Sequence, residues 1–154
     1  MTAVAILVSA FALSSPAFAP AKTIPQTYTC DGADRSPPLR WSAPPPGTRS
    51  LALMMDDPDA PGGTFTHWLA WGIEPTSRGL AAGARPPLEG TASFGRVGYG
   101  GPCPPPGKPH RYVFRLFALR SPLPLRAGAD RAAFLAALKG RMIRVAVLVG
   151  RYGR

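Results

Sequence analysis

Acidic residues are scarce in this chain. There are eight among 154, against eighteen Lys and Arg, which leaves a formal net charge of +10 at pH 7. Lysine is scarce too, since fifteen of the eighteen cations are arginine. Histidine and cysteine occur twice each. No Gly-x-Ser-x-Gly elbow is present, so the usual signature of an α/β-hydrolase is missing. No internal repeat is present, which excludes a repeat architecture. The longest uncharged apolar run, residues 3–13, falls short of the roughly twenty residues that cross a bilayer as a helix. No membrane span is therefore expected. What the chain has in quantity is proline and glycine, twenty and seventeen residues. Each interior proline breaks a helix, so a helical bundle is excluded. The 45% hydrophobic content argues against disorder. A single, turn-rich, mainly β domain remains.

The charge is uneven. Residues 1–95 carry six basic and seven acidic residues, whereas residues 96–154 carry twelve basic residues and one acid, Asp130. The basic residues are scattered, with no run and no DNA-binding motif, so a solvated surface is expected and not a nucleic-acid partner. The apolar run at 3–13 is followed by small residues ending Ala17-Phe18-Ala19-Pro20-Ala21-Lys22. This pattern is that of a secretory signal with its cleavage site, although no Lys or Arg precedes the run. Cleavage after Ala21 avoids leaving Pro20 at the new N-terminus. The expectation is a leader over 1–21, a domain over 22–154, and a periplasmic or secreted location. In an oxidising compartment the even pair Cys30 and Cys103 suggests one disulfide. Closing so long a loop contributes roughly 4 kcal/mol on the chain-entropy model. Two buried free thiols are the other reading.

Patterning places the elements. Thr23–Cys30 reads as a first strand, and Asp31–Pro46 as a turn-rich stretch with Trp41 as a core anchor. Ser50–Asp56 is a near-continuous apolar run suited to a buried strand. Phe65–Ile73 resumes as a strand after a Pro- and Gly-rich loop. Glu74–Gly95 reads as a long irregular connection. Gly98–Pro109 holds five prolines and four glycines and reads as a rigid loop. His110–Leu119 alternates, with Tyr112, Phe114, Leu116 and Ala118 on one face. Asp130–Lys139 is the one helix expected, with Asp130 as N-cap and Gly140 just past its end. Met142–Val149 closes the chain as a strand. Several strands, one short helix and long Pro-rich connections favour a β-sandwich.

Three segments stand out for chemistry. Asp56, Asp57 and Asp59 put three of the eight acids within four positions, in a stretch stiffened by Pro58 and Pro61. His67-Trp68 and His110-Arg111-Tyr112 place the only two histidines near the start of a strand, each after a Pro/Gly-rich loop. Each feature alone is ordinary: a polar turn, a satisfied core histidine, a surface loop. Their combination resembles one family. Cys30-Asp31-Gly32, Ser36-Pro37-Pro38-Leu39-x-Trp41, Asp57-Pro58-Asp59-Ala60-Pro61, His67-Trp68, Tyr99-Gly100-Gly101-Pro102-Cys103-Pro104-Pro105 and His110-Arg111-Tyr112-Val113-Phe114 resemble, in order, the phosphatidylethanolamine-binding protein family. More narrowly, they are similar to its bacterial Raf kinase inhibitor-like branch (YbhB/YbcL type). The likeness runs from about Tyr28 to Tyr152.

This resemblance implies a mainly β fold, a Greek-key antiparallel β-sandwich with one short helix. It implies a small anion pocket for phosphate, a phosphorylated small molecule or a phospholipid head group. Carried over by position, the pocket uses Asp57, Asp59, His67, Gly101, Pro104, His110 and Tyr112. Cys103 stands where some members have a second glycine. The chain stops at Arg154, without the C-terminal segment of eukaryotic members, so a more open pocket is expected. The implied role is non-enzymatic, with no cofactor, and includes a protein target modulated in the manner of a kinase or protease inhibitor. The physical logic is that imidazole and backbone N–H groups serve as donors. A carboxylate accepting from one imidazole N–H fixes the ring and favours its charged form. Asp57 or Asp59 serves either His67 or His110 on this reading. Ala60–Pro61 is a candidate cis bond. The alternative class is a metal-binding or hydrolytic protein using the His67/His110/Asp57/Asp59 cluster, or Cys103 as a nucleophile beside His110.

Overall fold

The computed structural model describes residues 10–154. Two antiparallel sheets and one short helix make up the domain. The small sheet has the order β1-β2-β5, from Leu13–Ser14 (β1), Leu39–Trp41 (β2) and Gly79–Leu80 (β5). The large sheet has the order β6-β4-β3-β7-β8. Its strands are Leu88–Glu89 (β6), Phe65–Ile73 (β4), Ser50–Asp57 (β3), His110–Leu119 (β7) and Met142–Tyr152 (β8). The helix α1, Arg131–Leu138, covers the outer face of the large sheet.

β3 explains the layering. It is buried along its whole length, and alternation sends its residues to two different cores. Leu51, Leu53 and Met55 point between the two sheets, with Trp41, Trp68, Phe114 and Leu116. Ala52 and Met54 point the other way, against Leu69, Trp71, Phe117 and the helix residue Phe134. A strand buried on both faces reads as an unbroken apolar run, as Ser50–Met55 does. In α1 the Asp130 carboxylate accepts from the Ala133 N–H at 2.9 Å, and Gly140 beyond the helix has φ +76°.

Three expectations are corrected. Thr23–Cys30 is not a strand. Pro25 supplies no N–H for a ladder, and a 3-10 turn forms over Gln26–Tyr28, with only Thr23 bridging to Arg151. Glu74–Gly95 is not wholly irregular, since it contains β5 and β6. No cis peptide bond occurs among the described residues, so Ala60–Pro61 is trans.

The fold also begins before Lys22. Phe11, Leu13 and Phe18 are buried between the sheets, and β1 pairs with β2 through Leu13↔Trp41. Ala21 N–H donates to the Val149 carbonyl at 2.7 Å, and Ile24 N–H to the Arg151 carbonyl at 2.8 Å. Residues 11–21, which the sequence pattern assigns to a leader, pack here against the domain, and their apolar side chains fill the space over the large sheet. Residues 1–9, which carry the rest of the apolar run, lie outside the described residues. A chain that starts at Lys22 should lose the burial of three large side chains. At roughly 1.5–3 kcal/mol each, the expected loss is about 5–9 kcal/mol. Urea unfolding of that chain beside one starting at Ala10 measures it.

Candidate functional site

Strands β4, β3 and β7 lie side by side, and at one end they present Phe65 and His67, Asp57, and His110 and Tyr112. Together with the loops that follow β3 and precede β7, these residues enclose a pocket of about 140 Å³. A β-bulge aims His67 into it. Met55 pairs with Trp68 and Asp56 pairs with Thr66, so His67 is the extra residue between them. Strict alternation from Trp68 would send His67 to the helix side with Leu69 and Trp71. The bulge returns it to the side of Asp57 and Tyr112.

Asp57 is buried, and both its oxygens are used. Oδ2 accepts from His110 Nδ1–H at 2.7 Å, and Oδ1 accepts from the Asp59 backbone N–H at 2.8 Å. The second bond is the local turn that Asp favours two residues ahead. His110 is therefore held by a carboxylate, with Nε2 as its open nitrogen. His67 is held differently. Its Nδ1 lies 2.7 Å from the Gly100 carbonyl, which only accepts, so Nδ1 carries the proton. Burial lowers the His67 pKa below 6.5, against the opposing pull of the Gly100 carbonyl and of Asp57. At neutral pH the ring is neutral and its Nε2 is a lone-pair acceptor. Tyr112 is fully buried, and its hydroxyl has no hydrogen-bond partner among the described residues. Burial, with Asp57 nearby, pushes its pKa well up, so it stays a neutral donor.

The remaining expected residues divide. Pro104 lines the pocket beside Cys103 and Pro105. Asp59 does not enter it. The Asp59 carboxylate takes Arg111 through Nη2 at 2.8 Å, Nε at 3.0 Å and the backbone N–H at 2.9 Å. The Arg111 hydrogen bonds bring the Asp59 pKa down to about 2. Asp59 thus clamps the loop after β3 to the start of β7. The Gly101 N–H points away, donating to Asp34 Oδ1 at 2.8 Å, while its backbone adds a minor hydrogen-bonding pull on His67. A Cβ there would strike Asp34 and the Tyr28 carbonyl. Gly100 is the glycine that matters to the pocket, since it bonds His67 from both its carbonyl and its N–H.

Two aromatic walls escaped the sequence reading. Phe65 and Phe94 meet edge to face at 4.8 Å, and Phe94 meets His67 at 5.2 Å. Phe94 comes from the stretch that looked irregular, and nothing in its neighbours marks it. Cys30 and Cys103 are joined in a disulfide, so Cys103 offers no thiol nucleophile. The metal arrangement of the alternative reading is not what the side chains form. Asp57 is spent on His110 and Asp59 turns to Arg111, and no group of three ligating side chains gathers among the described residues.

The family model for phosphatidylethanolamine-binding protein matches residues 14–153. The chain belongs to this family. It is 45% identical over 149 residues to a UPF0098 protein of Methanothermobacter thermautotrophicus, covering 92% of this chain and 98% of the relative. A phosphatidylethanolamine-binding protein homologue of Chlamydia trachomatis has a crystal structure with a TM-score of 0.90 and 36% identity, covering 94% of this chain and 98% of that one. YbcL of Escherichia coli, described as a member of the mammalian family, has a TM-score of 0.88 and 31% identity over the same shares. These likenesses place the chain in the bacterial branch of the family.

Folding lowers the His67 pKa from 6.5, so its neutral ring stabilises the fold fully above that value. The contribution is lost as pH falls through the lower, folded value. Histidine ring NMR should show the His67 ring protonating below pH 6.5, and His67→Gln should remove that signal and reduce the acid sensitivity of urea midpoints. The disulfide is checked by non-reducing peptide mapping, where one cross-linked pair is expected and two alkylatable thiols would contradict it. Replacing both cysteines by serine should cost roughly 4 kcal/mol on the chain-entropy model.

Proposed function

We propose that the pocket binds a phosphate group, free or as the head of a phosphorylated small molecule or phospholipid, and catalyses no reaction on it. The observation that carries this reading is the set of open polar groups in so small a space. His110, oriented by Asp57 through Nδ1–H, donates from Nε2 in its doubly protonated form, which a bound phosphate anion favours. The unpartnered Tyr112 hydroxyl is a second donor. His67 Nε2 accepts at neutral pH. Two donors beside one acceptor suit a phosphate that still carries one proton. The volume of about 140 Å³ is below that of sites for drug-sized ligands, roughly 300–1,000 Å³. A head group fits, and acyl chains stay outside.

The pocket's rim, built from the exposed residues Pro61–Thr64 and Pro105–Pro109, is the surface through which a bound head group would modulate a protein target in inhibitor-like fashion. The Cys30–Cys103 bridge supports residence in an oxidising compartment, periplasmic or extracellular.

Calorimetric titration with phosphate and phosphoethanolamine tests the reading. His110→Ala removes a charge-assisted hydrogen bond worth about 1.5–3 kcal/mol, so affinity should fall about 10–150-fold. Asp57→Asn should also weaken binding, about tenfold, because the ring loses its orienting acceptor. Tighter binding by Asp57→Asn would show that the carboxylate only repels the anion, and the reading would fail. Sulfate, which brings no proton at these pH values, should bind better as pH falls and His67 becomes a donor.

A further inference from the structure

Trp68 follows His67 in β4 but looks elsewhere. It helps line a separate polar cleft of about 390 Å³, on the other side of the segment 98–101. Three tryptophans are present, and two have satisfied indoles. Trp41 Nε1–H donates to the Ser77 carbonyl at 2.8 Å, and Trp71 Nε1–H to the Leu125 carbonyl at 3.2 Å. Trp68 is 1% exposed, yet its Nε1–H has no well-formed hydrogen bond among the described residues. It faces the Glu89 carboxyl without closing a bond to it. Glu89 is the acceptor at hand, but the geometry leaves this buried donor incompletely satisfied, which is costly and rare, and a better-placed acceptor would complete it.

The rest of the lining points to the charge of that acceptor. Arg35, Arg85 and Arg96 border the cleft with the carboxylates Asp34 and Glu89, a majority of cations. Asp34 is engaged by the Gly101 N–H, and Arg85 attracts Glu89 from a distance. None of the three arginines is within ion-pair distance of a carboxylate among the described residues. Arg96 is steadied by Phe94, with its guanidinium carbon 4.7 Å from the ring centroid. Guanidinium forks match the oxygen edges of a phosphate. Glu89 adds an acceptor beside Trp68, and among the described residues it has no cation within ion-pair distance. A phosphate carrying one proton meets both conditions: an oxygen takes the Trp68 N–H, and the P–OH donates to Glu89.

We propose that this cleft is a second binding site, for the phosphate of a soluble phosphomonoester or of an anionic lipid head group. It is separate from the His67/His110 pocket and uses none of its donors.

The three indole N–H signals of the nitrogen-15-labelled full chain give a local readout. Sodium phosphate is titrated against sodium chloride at matched ionic strength, with the indoles assigned through the backbone. The Trp68 signal should move saturably while those of Trp41 and Trp71 stay in place. Arg85→Gln/Arg96→Gln should raise the midpoint at least tenfold. Arg120→Gln/Arg144→Gln, with the same net charge but away from the cleft, should leave it unchanged. A parallel sedimentation with phosphatidic-acid vesicles separates the two sources. Co-sedimentation lost in Arg85→Gln/Arg96→Gln but kept in Arg120→Gln/Arg144→Gln assigns a lipid head group. A saturable response to phosphate without such co-sedimentation assigns a soluble ligand. No saturable movement of Trp68, or movement that survives Arg85→Gln/Arg96→Gln, overturns the proposal.

Discussion

Two adjacent carboxylates buried at the end of β3 set the terms for everything around them. Asp56 and Asp57 lie 2% and 3% exposed, and alternation turns them to opposite faces of the large sheet. A buried carboxylate without partners is prohibitively costly, so each face must supply them. On the helix side Asp56 takes the Thr66 hydroxyl at 2.8 Å and Arg131 at 3.0 Å, which ties the first residue of α1 to the sheet. On the other side Asp57 takes His110 and the Asp59 N–H. One requirement thus docks the helix on one face and orients the pocket's histidine on the other.

The segment 98–101 performs a comparable double duty. Gly100 holds His67, and Gly101 is held by Asp34. Tyr99 packs edge to face on Trp68 at 5.4 Å and donates to the Tyr28 carbonyl at 2.6 Å. The Cys30 N–H donates to the Pro102 carbonyl at 3.1 Å beside the disulfide. A Pro/Gly-rich stretch without regular structure is nevertheless fixed at nearly every residue, because side chains and backbone from distant loops close on it.

The long elements were legible in the sequence because burial imposes a period. Ser50–Asp57, His110–Leu119 and the capped helix follow from apolar spacing and from Asp130. Two-residue strands such as β5 and β6 leave too few positions for any period to show. The apolar stretch before Lys22 reads two ways for a related reason: Phe11, Leu13 and Phe18 look the same whether they face a membrane machinery or a protein core. Within the site, the residues of the pocket could be named but their pairing could not. Asp57 and Asp59 are two positions apart where β3 runs into its loop, and only the Asx turn at Asp57 and the Arg111 side chain separate their roles. The bulge at His67 left no mark at all, because nothing in Thr66-His67-Trp68 departs from an ordinary strand.

Gly100 leaves no room for a side chain, since a Cβ there would run into the Phe94 ring. The interior of the pocket is therefore written in backbone and strand residues that tolerate little rewriting. The rim residues Pro61–Thr64 and Pro105–Pro109 are exposed and answer to no such restriction. A protein engineer could keep the inner chemistry constant and alter only that margin to choose which molecule carries the phosphate in. The scaffold in effect separates what is bound from who is allowed to bring it.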